Sequence, residues 1–286
     1  MERYVPQKQT RYHSWYEHWH RYSFIAEIVK DKKVCDIACG EGYGSALLAK
    51  RASKVVGVDV DKATIQHANE TYGDLESVEF IVADATGTPF EEDSFDVIVS
   101  FETLEHLSEH QQLIREFKRI LKADGVLIIS TPDKLVYSGD KEHNEYHVKE
   151  LSMLEFKNLM NSEFKYNVLY GQKLQLSSVI EKFKSDKHDQ DKLSFVVEEA
   201  DNELNKIGPN SLAKYLIMIS CNNPDTIENL DLSTVHTYSD KENQLLNHYD
   251  LQIQRLLKID QQNRELLRKI DQQEYLIGQL MSRIGL

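Results

Sequence analysis

Between residues 33 and 131 the sequence alternates short β-branched, apolar runs with stretches of helical periodicity. The runs are KKVCDI (32–37), KVVGVDV (54–60), VEFIVA (78–83), FDVIVSF (95–101) and VLIIST (126–131). Residues 42–51, 61–72 and roughly 108–121 read as helices between them. Strands that are apolar almost throughout must be covered on both faces, which means a parallel sheet flanked by helices. Right-handed crossovers then make the fold an α/β doubly wound one. After Pro132 the pattern loosens. A helix is expected near 150–161, and FKYNVLYG (164–171) and KYLIMISC (214–221) are expected to close a seven-stranded, mostly parallel sheet.

Around this core the chain divides into segments of different character. Residues 1–32, rich in aromatics and histidine, form an N-terminal helical lid with a helix at about 15–30. Residues 33–222 are the main domain. An inserted, partly helical cap is expected at about 172–212, because some forty residues there exceed an ordinary hairpin connection. Residues 223–238 are a linker. The tail from 239 to 286 has no proline and only Gly278 and Gly285, and KIDQQ at 258–262 recurs at 269–273. Leu245, Leu256 and Leu267 share a register, with Ile259, Ile270 and Met281 as a second row. An eleven-residue repeat predicts a long helix that joins a nearly straight or right-handed coiled coil, hence a homo-oligomer. Asn263 and Glu274 interrupt the seam and are candidates for setting register.

The net charge of −13 argues against nucleic acid as partner, since that affinity rests on Lys and Arg neutralising phosphates. Cys35, Cys39 and Cys221 show neither zinc spacing nor an even count, and read as reduced core thiols of a cytoplasmic protein. The N-terminus lacks the apolar core of a signal peptide, and no run of about 18 apolar residues could span a membrane. Membrane association is expected at most peripherally, through a partner.

Residues 36–44, DIACGEGYG, form a glycine-rich turn after the first strand and at the start of the first helix of the core. Such a turn lets the backbone approach a ligand closely, but dinucleotide enzymes use one too. Three acidic residues add to it. Asp36 precedes the turn, Asp59 ends the second strand and Asp84 ends the third. A carboxylate at Asp59 can accept both hydroxyls of a ribose, and one at Asp84 can accept from an adenine amino group. Then come FDVIVSFETLEHL and LKADGVLIISTP, the latter read as a helix end, a turn and the fifth strand.

As a set, residues 33–132 resemble the type-11 class I S-adenosylmethionine (SAM) methyltransferases, with their Rossmann-like fold. The resemblance implies that Gly40 and Gly42 face the methionine part of SAM. Asp59 would bind the ribose, Asp84 and Ala85 the adenine, and Phe101 would lie near the methyl sulfonium. Arg21 could pair with the SAM carboxylate through its bidentate fork, or form a surface salt bridge. Tyr12 or Tyr16 could close over the cofactor.

The acceptor side is read from Glu102-Thr-Leu-Glu105-His106, just past the fourth strand. If that stretch turns helically, Glu102 faces Glu105 at i+3 and His106 at i+4. A second cluster, His143, Asn144, Glu145, Tyr146 and His147, follows the fifth strand. Both loops belong at the carboxyl ends of the strands, where doubly wound folds bind ligands. Glu102, Glu105, His106 and His147 (or His143) are therefore candidate ligands for Mg²⁺ or Mn²⁺. The element resembles the Glu-x-x-Glu-His of metal-using O-methyltransferases that act on small RNA and in the ubiquinone pathway. Without a metal, Glu105 and His106 form a hydrogen-bonded pair, and His106 or His147 serves as general base.

ERYVP, HWHRYSFIAEIV, DIACGEGYGSALLA, VSFETLEHL and NEYHVKEL together look like methyltransferases of bacterial glycan assembly, some of which carry a long coiled coil. That resemblance implies an O-methyltransferase (EC 2.1.1) capping a sugar hydroxyl at the non-reducing end of an O-antigen polysaccharide during lipopolysaccharide biosynthesis. It also implies a glycosyltransferase or polymerase as partner. Two alternatives stand beside it: a small-molecule, quinone-like O-methyltransferase, and a non-catalytic SAM-binding scaffold for a glycosyltransferase.

Overall fold

The structure is a computed structural model, and it describes residues 12–137, 144–174, 196–198, 204–206, 213–230 and 244–283. The chain falls into two compact units, one holding a large sheet and the other a C-terminal helix.

In the first unit, helix α1 (Tyr12–Phe24) leads into strands β1 (Lys33–Ile37), β2 (Lys54–Asp59), β3 (Val78–Val82), β4 (Phe95–Phe101) and β5 (Leu121–Pro132). Helices α2 (Tyr43–Leu48), α3 (Lys62–Tyr72) and α4 (His110–Ile120) connect them, with a 3-10 turn at Leu104–His106. Short α5 (Lys134–Tyr137) and then α6 (Met153–Glu163) precede β6 (Tyr166–Gln172). A two-stranded pair follows, β7 (Val196–Glu198) and β8 (Leu204–Lys206), and then β9 (Tyr215–Cys221) and α7 (Pro224–Glu228). The seven-stranded sheet has the order β3-β2-β1-β4-β5-β9-β6. Its first five strands are parallel, and β9 runs antiparallel to both neighbours. The strand order reverses between β1 and β4, so the ligand crevice of such a sheet opens above their carboxyl ends.

Alternation along each strand builds two cores. Val34, Val55, Val97, Ile128 and Ile219 face one cluster, which α2, α3 and the segment after α1 cover. Their neighbours Cys35, Val56, Ile98, Ile129 and Met218 face the other, covered by α4 and α6. All three cysteines are buried and unbridged. Phe117 of α4 is wholly buried, and its truncation to Ala would cost about 3–5 kcal/mol.

Three local differences from expectation have physical reasons. Helix α1 ends at Phe24 rather than near residue 30. Beyond it the backbone closes i→i−3 bonds such as Ile28 N–H to the Ile25 carbonyl, and Asp31 takes a positive φ of 59°. Second, β5 begins directly at Leu121, which pairs with Phe95; the next pair is Val97 with Val126, so residues 122–125 are absorbed at a register shift. Third, the described residues of the expected cap form the β7–β8 pair rather than helix. The remainder of the cap lies outside the described residues.

The second unit is dominated by α8 (Gln244–Arg283), 40 residues and about 60 Å long. Its apolar rows stand open: Leu256 is 65% exposed, Leu267 59%, Ile259 51% and Ile270 48%. No helix among the described residues is long and apolar enough to cross a membrane.

Candidate active site

Above β1 and β2 the strand ends carry the expected carboxylates. Asp36 is buried and accepts from Ser45 Oγ at 2.6 Å and Tyr22 Oη at 3.3 Å. Burial pushes its pKa up to about 7, against the lowering pull of those two hydrogen bonds. Asp59 accepts from the Gly40 N–H at 3.1 Å and from the Asp61 N–H at 2.9 Å, so it braces the glycine-rich turn from the next strand. Gly40 (φ 55°) and Gly42 (φ 82°) both lie in the left-handed region. A Cβ at Gly42 would strike the Phe80 ring at 2.6 Å, whereas one at Gly40 would meet nothing within 4 Å. The turn thus packs on one side and is open on the other. Asp84, two residues beyond β3, is exposed, and its Oδ1 accepts from both the N–H and the hydroxyl of Thr86. Ala85 is half-buried against the second core. Phe101 ends β4, buried and edge-on to the Tyr22 ring at 5.1 Å.

Arg21 lies further along the sheet edge. Its guanidinium is wholly buried, 4.7 Å from the Tyr215 ring and 5.9 Å from Phe101. Nη1 donates to Gln172 Oε1 at 2.8 Å and stands 3.7 Å from Glu102 Oε1. Nε and Nη2 meet no acceptor among the described residues. Those two nitrogens form the side-on edge of the guanidinium, the edge that takes a carboxylate in two parallel bonds. Of the two candidate lid tyrosines, Tyr16 is buried, and the side chain of Tyr12 is outside the description.

The acceptor side differs from the helical turn expected of Glu102–His106. Glu102 takes φ 54°, a strained conformation for a residue with a Cβ, and the 3-10 turn starts only at Leu104. The Glu102 side chain therefore points elsewhere than at i+3 and i+4 of a helix. Its Oε1 accepts from Ser130 Oγ at 2.7 Å and faces Arg21. Glu105, His106 and His147 do come together, with one ligand atom from each within 4.8 Å of the others, and Glu102 is outside that group. His143 is outside the described residues.

What joins residue 147 to residue 105 is backbone bonding. Lys149 N–H donates to the Glu105 carbonyl at 3.0 Å, and His106 Nδ1 donates to the Tyr146 carbonyl at 2.8 Å. His147 Nδ1 bonds the Glu150 carboxylate. Burial, reinforced by the nearby charge of Glu102, holds the Glu105 carboxyl well above the usual carboxylate range. Burial lowers the His106 pKa, which favours its neutral, proton-accepting form.

Sequence reasoning missed Gln172 and Tyr215 beside Arg21, Ser130 beside Glu102, and Glu150 behind His147. Only Glu150 left a trace in sequence, three residues past a histidine. The others come from strands whose pairing had to be known first.

Residues 35–129 match the family described as a methyltransferase domain. Over this stretch the chain is similar to methyltransferase domains. The chain is 31% identical over 161 residues to a probable S-adenosylmethionine-dependent methyltransferase of Mycobacterium tuberculosis, covering 56% of this chain and 58% of that protein. It is 37% identical over 117 residues to phosphoethanolamine N-methyltransferase 1 of Arabidopsis thaliana, covering 40% of this chain and 24% of that one. The chain spans a little over half the length of the first curated relatives it matches. A solved Pyrococcus horikoshii protein, 22% identical, superposes with a TM-score of 0.51 over 77% of this chain and 95% of its own, which supports the Rossmann-like fold. A methyltransferase domain of this kind takes its methyl group from SAM, and the open Gly40 cradle, the three carboxylates and the orphaned edge of Arg21 fit that molecule.

Proposed function

We propose that this protein is a SAM-dependent O-methyltransferase acting on a sugar hydroxyl at the non-reducing end of a bacterial polysaccharide. The observation that carries the reading is the convergence of Glu105, His106 and His147 at the carboxyl edge of the sheet. A sugar hydroxyl is a weak nucleophile at neutral pH and needs a proton acceptor at the moment of attack. Each histidine bonds an oxygen through Nδ1, so a neutral ring keeps its lone pair on Nε2.

The step is an in-line displacement. The acceptor oxygen forms a bond to the methyl carbon as the carbon–sulfur bond of the sulfonium breaks. The hydroxyl proton passes to His147 Nε2, and neutral S-adenosylhomocysteine leaves. Positioning supplies most of the acceleration.

The same three side chains fit a divalent cation. Two imidazoles and one carboxylate suit Mn²⁺ or Zn²⁺ better than Mg²⁺, which prefers oxygen ligands. A bound cation would lower the pKa of the acceptor hydroxyl and orient it.

We assign α8 to pairing with the α8 of a second copy of the chain. The eleven-residue repeat sets the same apolar rows on one face of both copies, and Lys258, Arg264 and Lys269 alternate with Asp260, Glu265 and Asp271 along it. A glycosyltransferase or polymerase is the partner that such an assembly would serve.

The test is transfer of labelled methyl from SAM to mannose- and rhamnose-terminated oligosaccharides, with EDTA and with added Mn²⁺, Zn²⁺ or Mg²⁺. Transfer to a terminal hydroxyl is the expected result. Its loss in EDTA and return with metal would support the cation, and EDTA-resistant transfer would leave His147 as base alone. Transfer to catechols or quinols but to no glycan would overturn the acceptor assignment.

A further inference from the structure

We infer that Glu150 is a positioning residue that fixes the proton of His147 on Nδ1. This rests on the reading of His147 Nε2 as the atom that faces the acceptor.

Glu150 follows His147 by three residues, and the two side chains are 8% and 4% exposed. The Glu150 carboxylate bonds His147 Nδ1. A carboxylate only accepts, so the ring nitrogen it touches must carry the hydrogen. The neutral ring then has its lone pair on Nε2. The ring plane is held as well: Tyr137 stacks on it at 5.2 Å and 29°, and His106 meets it edge-on at 5.2 Å and 81°. Free imidazole side chains prefer the opposite tautomer, with hydrogen on Nε2. Without Glu150, His147 would thus point an N–H where the acceptor hydroxyl or a cation needs a lone pair. Outer partners of this kind commonly shift activity or metal affinity 10–100-fold.

The experiment is long-range ¹H–¹⁵N correlation on the full chain labelled at histidine, at a pH of about 8.5, above the ordinary histidine range. His147 is assigned by the signal lost in His147→Gln. Wild type should show a protonated Nδ1 and an unprotonated Nε2. Glu150→Gln, whose amide oxygen still accepts, should keep that pattern and lose activity about threefold. Glu150→Ala should move the hydrogen to Nε2 and lower kcat about 10–100-fold, with KM for SAM within about twofold. An unchanged tautomer in Glu150→Ala would overturn the positioning role. A switched tautomer with unchanged kcat would keep the positioning role and overturn the reading of His147 as the group facing the acceptor.

Discussion

The two halves of the sheet's carboxyl edge are built by different means. On the half we assign to the methyl donor, above β1, β2 and β3, Asp36, Asp59 and Asp84 sit at or just past the ends of their own strands. Asp36 and Asp59 need only the sheet to exist, and Asp59 reaches one strand over to hold the Gly40 N–H. On the acceptor half, no strand end delivers the group by itself. Glu105 and His106 come from a short 3-10 turn, and His147 arrives from forty residues further along, held by Lys149 and Tyr146. The donor half is thus a property of the fold, and the acceptor half a property of one loop laid across it. The donor half should serve many acceptors, and the acceptor half should decide which is used.

The sharpest way to break the comparison is to remove a group from the acceptor half. His147→Ala should lower kcat about a thousandfold, read as initial rate of methyl transfer, with the Kd for SAM unchanged within about twofold. A parallel rise in Kd would mean that the halves are not separate. On the donor half, Asp59→Ala should weaken SAM about 30–100-fold by calorimetry, the worth of charge-assisted hydrogen bonds to a ribose. A weaker effect belongs to Asp36. Its folded pKa, about 7, lies above the roughly 3.9 of an unfolded chain. Its stabilising contribution is therefore complete below about pH 4 and is lost as pH rises through 7. The Tm of wild type minus that of Asp36→Asn, both without SAM, should fall by about 5 °C between pH 4.5 and 8. A flat difference would show that Asp36 is not desolvated. The smallest effect on catalysis is expected from α8. Leu256→Asp with Leu267→Asp should reduce the sedimenting species to a monomer and leave kcat on a short acceptor unchanged.

The same contrast explains what the sequence made legible. Periodicity and strand-end carboxylates placed β1 to β5 within a few residues, because parallel strands declare themselves by continuous apolar runs. The pair Glu105 and His106 was visible as a motif. Glu102 was not placed correctly: i+3 spacing assumes a helix, and Ser130 and Arg21 hold this residue in a left-handed conformation outside one. Arg21 was expected at the SAM carboxylate. Its neighbours turned out to include Gln172 and Tyr215, from strands far apart in sequence. Glu150 left only its three-residue spacing from His147, which acquires meaning once the loop is closed.

The division into two halves is tested most directly by raising SAM to saturation in Asp59→Ala and His147→Ala and following a single turnover of methyl transfer. Asp59→Ala should recover most of the wild-type rate once the cofactor is bound. His147→Ala should stay about a thousandfold slow at every SAM concentration. Recovery of His147→Ala by SAM, or failure of Asp59→Ala to recover, would contradict the assignment of these residues to separate donor and acceptor sites.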